Sequence, residues 1–366
     1  MAKTLLTPLP LRLSIFIVVF VFISQSSISE SRERHVITFR SPTLYPEGLT
    51  WDPTSNHFIV ASVRHGTFHT VTNNGVIQTL TSSASNLPYN PIVLGLAFDT
   101  RRNRLIAAFN TVNTPYVAAF SLHRTSNSLT LLFLTHLPTD SPSSAASNDV
   151  ALDPHGNAYV TNFGENLIWK VSLNGTASVL SLDRTSPYSY AGLNGVVYLD
   201  GKELLLVVQS NTGKLLRVDA VNGKMSSVAL PKEVELTSAH GIAVREDGVV
   251  FVVSTSEVWV LKSEDRWGRG ELIDRITLES EGFPSSVSVG NKGRVYLLYG
   301  FAEEGMTGKS KGQEREWFRI EEVGSNEESE AQSLWPFLMI ALALLYFLFW
   351  RFQMTRFVNN LDKKHS

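Results

Sequence analysis

The sequence predicts an all-β protein: a six-bladed β-propeller with an N-terminal signal segment and one C-terminal transmembrane helix. Three observations lead there. Many short apolar runs are separated by turn signals such as Asn-Asn-Gly, Pro-His-Gly, Leu-Asn-Gly and Glu-Asp-Gly. A three-residue register recurs through the chain at nearly even spacing. Two further apolar segments stand outside that repeat, one at each end.

The chain has 366 residues, 43% of them hydrophobic, so it holds enough apolar side chain for a large core. Its formal charge of −2 gives no global attraction to nucleic acid, and no nucleic-acid partner is expected. It has no cysteine, which excludes disulfides, thiol nucleophiles and thiolate metal sites. A core of this size needs no disulfides even in an oxidising compartment.

Residues 1–29 read as a signal peptide. Lys3 and Arg12 precede an apolar run from Leu13 to Ile23, and Ser27-Ile28-Ser29 offers a cleavage site. An uncleaved anchor is the alternative. Residues 30–324 form the propeller, expected to be lumenal, and 325–333 an acidic linker. Residues 334–350, "LWPFLMIALALLYFLFW", carry no charge and have aromatic residues at both ends, as a membrane span does. The flanks distinguish this segment from a buried core helix: acidic residues precede it, whereas Arg351, Arg356, Lys363 and Lys364 follow it. Basic residues favour the cytosolic side, so 351–366 is expected to be a cytosolic tail. Its ending, "KKHS", resembles the dilysine retrieval signal of endoplasmic reticulum membrane proteins. The expected location is therefore the endoplasmic reticulum membrane in a single pass; the later secretory pathway and the plasma membrane are the alternatives.

The repeat opens on "EGL" at 47, "LGL" at 94, "NDV" at 148, "NGV" at 194, "HGI" at 240 and "SSV" at 285, at intervals of 47, 54, 46, 46 and 45 residues. The longer interval absorbs the Ser/Pro-rich "LPTDSPSSAASND". Most triplets are followed by a turn and a second apolar run, as in "HFIVAS" and "NAYVTN", and then by a third. About four strands per 45-residue unit is the propeller pattern. The segment 34–39 is expected to pair with the last blade and close the ring, which removes exposed sheet edges. A pair of β-sandwiches is the alternative, but it would not require such even spacing.

In a propeller the innermost strand of each blade lines the central channel, so the residues opening the repeats lie at one height around the axis. That column reads Glu47, Leu94, Asn148, Asn194, His240 and Ser285. Through "EGLTWDPTSN", "SNDVALDPHGNAYVTN" and "LNGVVYLDGKELLLVV" the chain resembles the gluconolactonase/regucalcin-like (senescence marker protein) propellers, related to paraoxonases and calcium-dependent phosphotriesterases. The resemblance covers nearly the whole region between the two end segments. It implies a divalent metal, calcium, held in the channel by Glu47, Asn148, Asn194 and His240. His240 stands where the family has an aspartate. That removes one negative charge and offers an imidazole, which suits zinc, iron or manganese better than calcium. His240 is also the candidate catalytic base.

Three readings of the column follow. In the first, the protein is a metal-dependent lactonase or esterase, with a small lactone or ester as substrate. In the second, it is a non-catalytic propeller that binds a small molecule, or a protein partner at its rim. In the third, the column is structural and its polar groups bond one another and trapped water. Asp149 is expected to orient Asn148 from behind, or else to be a turn residue. Ser285 is a candidate substrate contact. His65, His123 and Arg64 carry no spacing argument for a site. Asn174 in "NGT" is a glycosylation acceptor at a turn. The stretch 263–275 is charged and reads as a solvated loop before a strand, and 303–317 lacks apolar periodicity and reads as a mobile loop in the last blade. The Gly-Lys-Ser at 308–310 lacks the glycine of a phosphate loop.

Overall fold

The computed structural model describes residues 34–365 except 83–86, 113, 141–144, 183–191, 279–281, 309–313 and 325, and leaves out the side-chain surroundings of 325–338, 359 and 361–366. The expected signal segment lies outside the described residues. His35–Gly324 form one compact unit, and the C-terminal segment belongs to another.

The larger unit is all-β and propeller-like. After β1 (Val36–Arg40), the strands β2 (Pro46–Asp52), β3 (His57–Ser62), β4 (Phe68–Thr72) and β5 (Ile77–Ser82) form an antiparallel meander. So do β6 (Ile92–Asp99), β7 (Arg104–Thr111), β8 (Thr114–His123) and β9 (Ser128–His136). These two meanders join at their outer strands through a short parallel pairing of β5 with β9, which makes one eight-stranded sheet. Three four-stranded sheets follow. The first is β10 (Ser147–Leu152), β11 (Ala158–Asn162), β12 (Leu167–Val171) and β13 (Ala177–Leu182). The second is β14 (Leu193–Leu199), β15 (Leu204–Gln209), β16 (Lys214–Asp219) and β17 (Met225–Ser227). The third is β18 (Ile242–Val244), β19 (Val250–Val253), β20 (Glu257–Lys262) and β21 (Glu271–Thr277). The last sheet takes β22 (Ser286–Val289), β23 (Val295–Tyr299) and β24 (Trp317–Glu322), and β1 completes it by pairing with β24 from Val36↔Glu321 to Arg40↔Trp317. The pairing expected of 34–39 is therefore present.

The first strand of each meander lies beside the next: β2 by β6, then β10, β14, β18 and β22, and β22 closes on β2. The core sits between neighbouring sheets. Side chains alternate along a strand, so Phe58 and Val60 face the last sheet and pack with Tyr296 and Phe318, while Ile59 and Ala61 face β7 and pack with Leu105 and Ala107. Acids at the far ends of the first strands tie the sheets together. Asp52 accepts two hydrogen bonds from the Arg124 guanidinium, both at 2.9 Å. Arg104, which is buried, donates to Asp99 and to the Gly156 carbonyl of the next sheet.

Two expectations change. The stretch 263–275 is not only a solvated loop: β21 begins inside it, and Trp267 is 1% exposed in the core shared by β15, β19 and β20. One aromatic ring among charges carries no period, so the pattern hid it. The stretch 303–317 holds a short helix, α1 (Ala302–Thr307), with Gly308 at its C-terminus in the left-handed region. Gly305 makes the helix fit, because a Cβ there would lie 2.4 Å from Tyr45 Cβ.

In the C-terminal unit, residues 326–365 form α2 (Asn326–His365). Among the described residues no helix is long and apolar enough to cross a membrane. The expected span starts at Leu334, and side-chain surroundings are described from Met339 onward.

Candidate functional site

The residues of the recurring register open the first strands or precede them. In four of the six the antiparallel register breaks at that point: between Pro46 and Gly48, Val93 and Leu96, Ser147 and Val150, and Leu193 and Val196. Such bulges bend a strand and re-aim its side chains. Here they release Glu47, Leu94, Asn148 and Asn194 from the ladder, at one end of the ring.

The glycine after the opening residue lets the strands crowd together. A Cβ at Gly48 would lie 2.5 Å from the Leu94 carbonyl oxygen, and one at Gly195 2.5 Å from that of His240. Gly195 N–H donates to the His240 carbonyl at 2.9 Å, which fixes β14 against the residue preceding β18. Hydroxyls at the ends of second strands hold the incoming chain. Ser62 Oγ donates to the Leu44 carbonyl, and Ser210 Oγ to the Ala239 carbonyl next to His240. Asn194 Nδ2 donates to Ser210 Oγ at 3.1 Å, so Ser210 links Asn194 to the backbone that carries His240.

In the third register, Asp149 takes the place of the glycine. It lines the channel, and its carboxylate accepts from Val196 N–H of β14 at 2.9 Å and from its own neighbour Val150 N–H at 2.8 Å. Its partners are therefore backbone amides. Burial raises it to about 6 against the pull of those two amides.

Among the described residues Glu47 Oε2 is buried with no hydrogen-bond partner. Burial raises this acid to about 7, and the Asp149 charge adds to the effect. Ser285 Oγ, in the same column, is also buried without a partner, while Ser285 N–H donates to the Leu298 carbonyl. Burial lowers His240 below its ordinary value, opposed by the Glu303 carboxylate of α1. Its ring is uncharged at neutral pH and keeps a lone pair. Asn148 is half-buried on β10, and Leu94 packs into the core between β2 and the last sheet.

The register thus places one carboxylate, two amides, an imidazole and a hydroxyl at the same end of their respective first strands, and the Asp149 charge is near enough to act on Glu47. Among the described residues no group of three or more His, Asp or Glu is close enough to hold a metal. A metal site here would have to draw on the Asn carbonyl oxygens. The Asn194 amide is suited to that, since its nitrogen is committed to Ser210. Beyond the column, all six first strands line a cavity of about 270 Å³.

One participant was not assigned from sequence, and the partners of another were not. Asp149 was named, but its direction was not; the signal was the glycine missing from "NDV". Glu303 lies in the connection 300–316 between β23 and β24, which is much longer than the others of its kind. That length was the available clue. His65 bonds Thr43, His123 bonds Thr130 and Arg64 pairs with Glu314, all apart from the column. Asn174 is exposed at the β12–β13 turn.

Residues 45–297 match the family described as the SMP-30/Gluconolactonase/LRE-like region. No curated protein matches the chain. Among solved structures, the major allergen Mala s 1 of Malassezia sympodialis is similar at TM-score 0.66 and 15% identity, over 79% of this chain and 96% of that one. A gluconolactonase from Xanthomonas campestris is similar at TM-score 0.55 and 12% identity, over 80% and 90%. A luciferin-regenerating enzyme is similar at TM-score 0.56 and 12% identity, over 79% and 96%. At these identities the structures speak for the fold alone.

Proposed function

The chain belongs to the SMP-30/gluconolactonase/LRE-like family, and we propose that it is a six-bladed propeller hydrolysing a lactone or ester at a divalent metal in the column. The closed ring of first strands supports the blade count, with β2–β5 and β6–β9 as separate blades joined at their edges. One observation carries the functional reading: among the described residues Glu47 Oε2 is buried and unpartnered, with the half-buried Asp149 carboxylate near enough to raise it further. Two such acids without a cation are costly, and a bound cation offsets that cost.

Glu47, Asn148, Asn194 and His240 would hold the ion through oxygen and imidazole nitrogen, with Asp149 adding negative charge alongside. When bound, the ion polarises the substrate carbonyl and stabilises the oxyanion. Glu47 supplies the charge that anchors it. Asn194, turned by Ser210, presents its carbonyl oxygen. His240, uncharged, either completes the ligand set or takes the proton of the attacking water and returns it to the leaving oxygen. Ser285 Oγ is free to donate to substrate. The imidazole in place of a carboxylate favours zinc or manganese over calcium.

The test is the metal content of the purified full chain after exchange into calcium, zinc and manganese buffers, followed by lactone and ester assays. One equivalent of metal, lost in Glu47→Gln, is expected. A folded protein that retains no metal in any buffer overturns the reading.

We further propose that residues 334–350 anchor the protein in the endoplasmic reticulum membrane, with the propeller lumenal. Both ends of the propeller leave from one face, where Glu322 N–H donates to the His35 carbonyl, and α2 exposes apolar side chains from Ile340 to Val358. Glycosidase treatment of microsomal protein, with an Asn174→Gln control, tests the lumenal placement. The second reading, a protein partner at the rim, is favoured by Tyr89 and Val112, which are 95% and 96% exposed on loops at the column end of the ring. Retained partner capture by Glu47→Gln, with no activity in the wild type, would select it.

A further inference from the structure

The channel has two parts. The column occupies one end. The cavity of about 270 Å³ begins on the same strands, one or two residues further along: at Leu49 after Glu47, at Asp149 after Asn148, at Val196 after Asn194, at Ile242 after His240 and at Ser286 after Ser285. None of the column residues lines it. Its volume approaches the small end of ligand pockets, roughly 300–1,000 Å³.

Its walls are mostly hydrocarbon. Leu49, Phe98, Leu152, Val197, Val244 and Val289 contribute, one from each first strand. Among the described residues no cationic side chain lines it, and Asp149 is its only carboxylate. Each Asp149 oxygen accepts one backbone N–H, and a carboxylate oxygen has room for a second donor. The cavity therefore has apolar walls, with a hydrogen-bond acceptor at the end nearest the column. A molecule matching it has an apolar body and a donor at one end.

Resting on the hydrolase reading, we infer that this cavity takes the alcohol half of the substrate, whose released hydroxyl donates to Asp149. The acyl carbon then lies at the column and the hydrocarbon chain runs down the channel. Water adds to the carbonyl carbon, the bond from that carbon to the alcohol oxygen breaks, and this oxygen leaves with a proton as a hydroxyl. The substrate class is an ester of an unbranched aliphatic alcohol, or a lactone bearing such a chain on the carbon that carries the ring oxygen.

The experiment measures binding of hexanol, hexylamine and hexyl methyl ether to the full chain by NMR titration, and compares hydrolysis of ethyl and hexyl esters. Thr50→Phe and Ser288→Phe each fill the channel from a different strand, and neither residue belongs to a core cluster. Hexanol is expected to bind at least about tenfold more tightly than the ether, to lose that binding in both filled variants, and to weaken in Asp149→Asn. Hexyl esters are expected to exceed ethyl esters about tenfold in kcat/KM, with the difference gone in the filled variants. Ester hydrolysis without chain-length dependence and without hexanol binding overturns the inference and leaves the hydrolase reading standing. Hexanol binding that the filled variants abolish, with no ester hydrolysed, overturns the hydrolase reading but keeps the channel site. Preference for hexylamine overturns the assignment to an alcohol.

Discussion

Strand β2 carries an acid at each end, and the two live in opposite circumstances. Asp52 closes the strand. Burial pushes its pKa up, but the Arg124 guanidinium, the Ser55 hydroxyl and the Thr54 N–H outweigh burial and hold it below its ordinary value. Glu47 opens the strand with no cation and no donor for Oε2, and it is raised to about 7. A buried acid with a matched partner is structural; a buried acid without one stores free energy that a ligand can release. The same strand thus separates an end that ties neighbouring sheets together from an end that carries an unpartnered acid.

The sharpest way to break the comparison is to neutralise each acid in turn. Glu47→Gln is expected to weaken divalent metal binding by roughly 1,000-fold, since it removes the only charged side chain among the four proposed ligands. Calorimetric titration checks it, and metal binding unchanged in that variant would erase the difference between the two ends.

Next is the pH dependence of the metal-free protein. The folded state keeps a proton on Glu47 between its ordinary 4.5 and about 7, where the unfolded chain has released it. Stability is therefore fully present below that window and falls as pH rises through it, by on the order of 3 kcal/mol. Asp149 behaves alike between 3.8 and about 6. Asp52 has the opposite sign: its contribution is present above 3.8 and is lost as pH falls. Urea titrations across pH are expected to show the decline in the wild type and a shallower one in Glu47→Gln.

Arg124→Ala is expected to cost about 2 kcal/mol in chemical denaturation and leave metal binding intact, because it strands Asp52 while Arg124 itself is partly solvated. The smallest effect expected is from Ser210→Ala, about 1 kcal/mol of stability with a loosened Asn194 and metal binding weaker by roughly tenfold.

Much of this was legible before any coordinates. The even recurrence of the triplets fixed where the first strands begin, and the Asp-Pro pairs at Asp52 and Asp153 marked the ends of two of them. Glu47, Asn148, Asn194, His240 and Ser285 were identified as a column because a propeller brings one register to one height. The bulges were not legible: a bulge depends on the partner strand, and no residue type announces it. Nor was the direction of Asp149. Its neighbour in sequence is Asn148, but its acceptor oxygen points to Val196 on the adjacent first strand, β14. Trp267 was misread because a single buried ring among charges has no period.

The sequence by itself determined the strand count per unit, the alternation that buries Phe58 on one side and Ile59 on the other, and the list of polar residues at the channel mouth. These follow from local chemistry and period. Only the tertiary structure decided which of those polar atoms go unpaired. Ring closure leaves Glu47 and Ser285 without donors, satisfies Asn194 through Ser210, and gives Asp149 two amides. Whether a buried polar atom finds a partner depends on strands remote in sequence, so no reading of one segment could supply it.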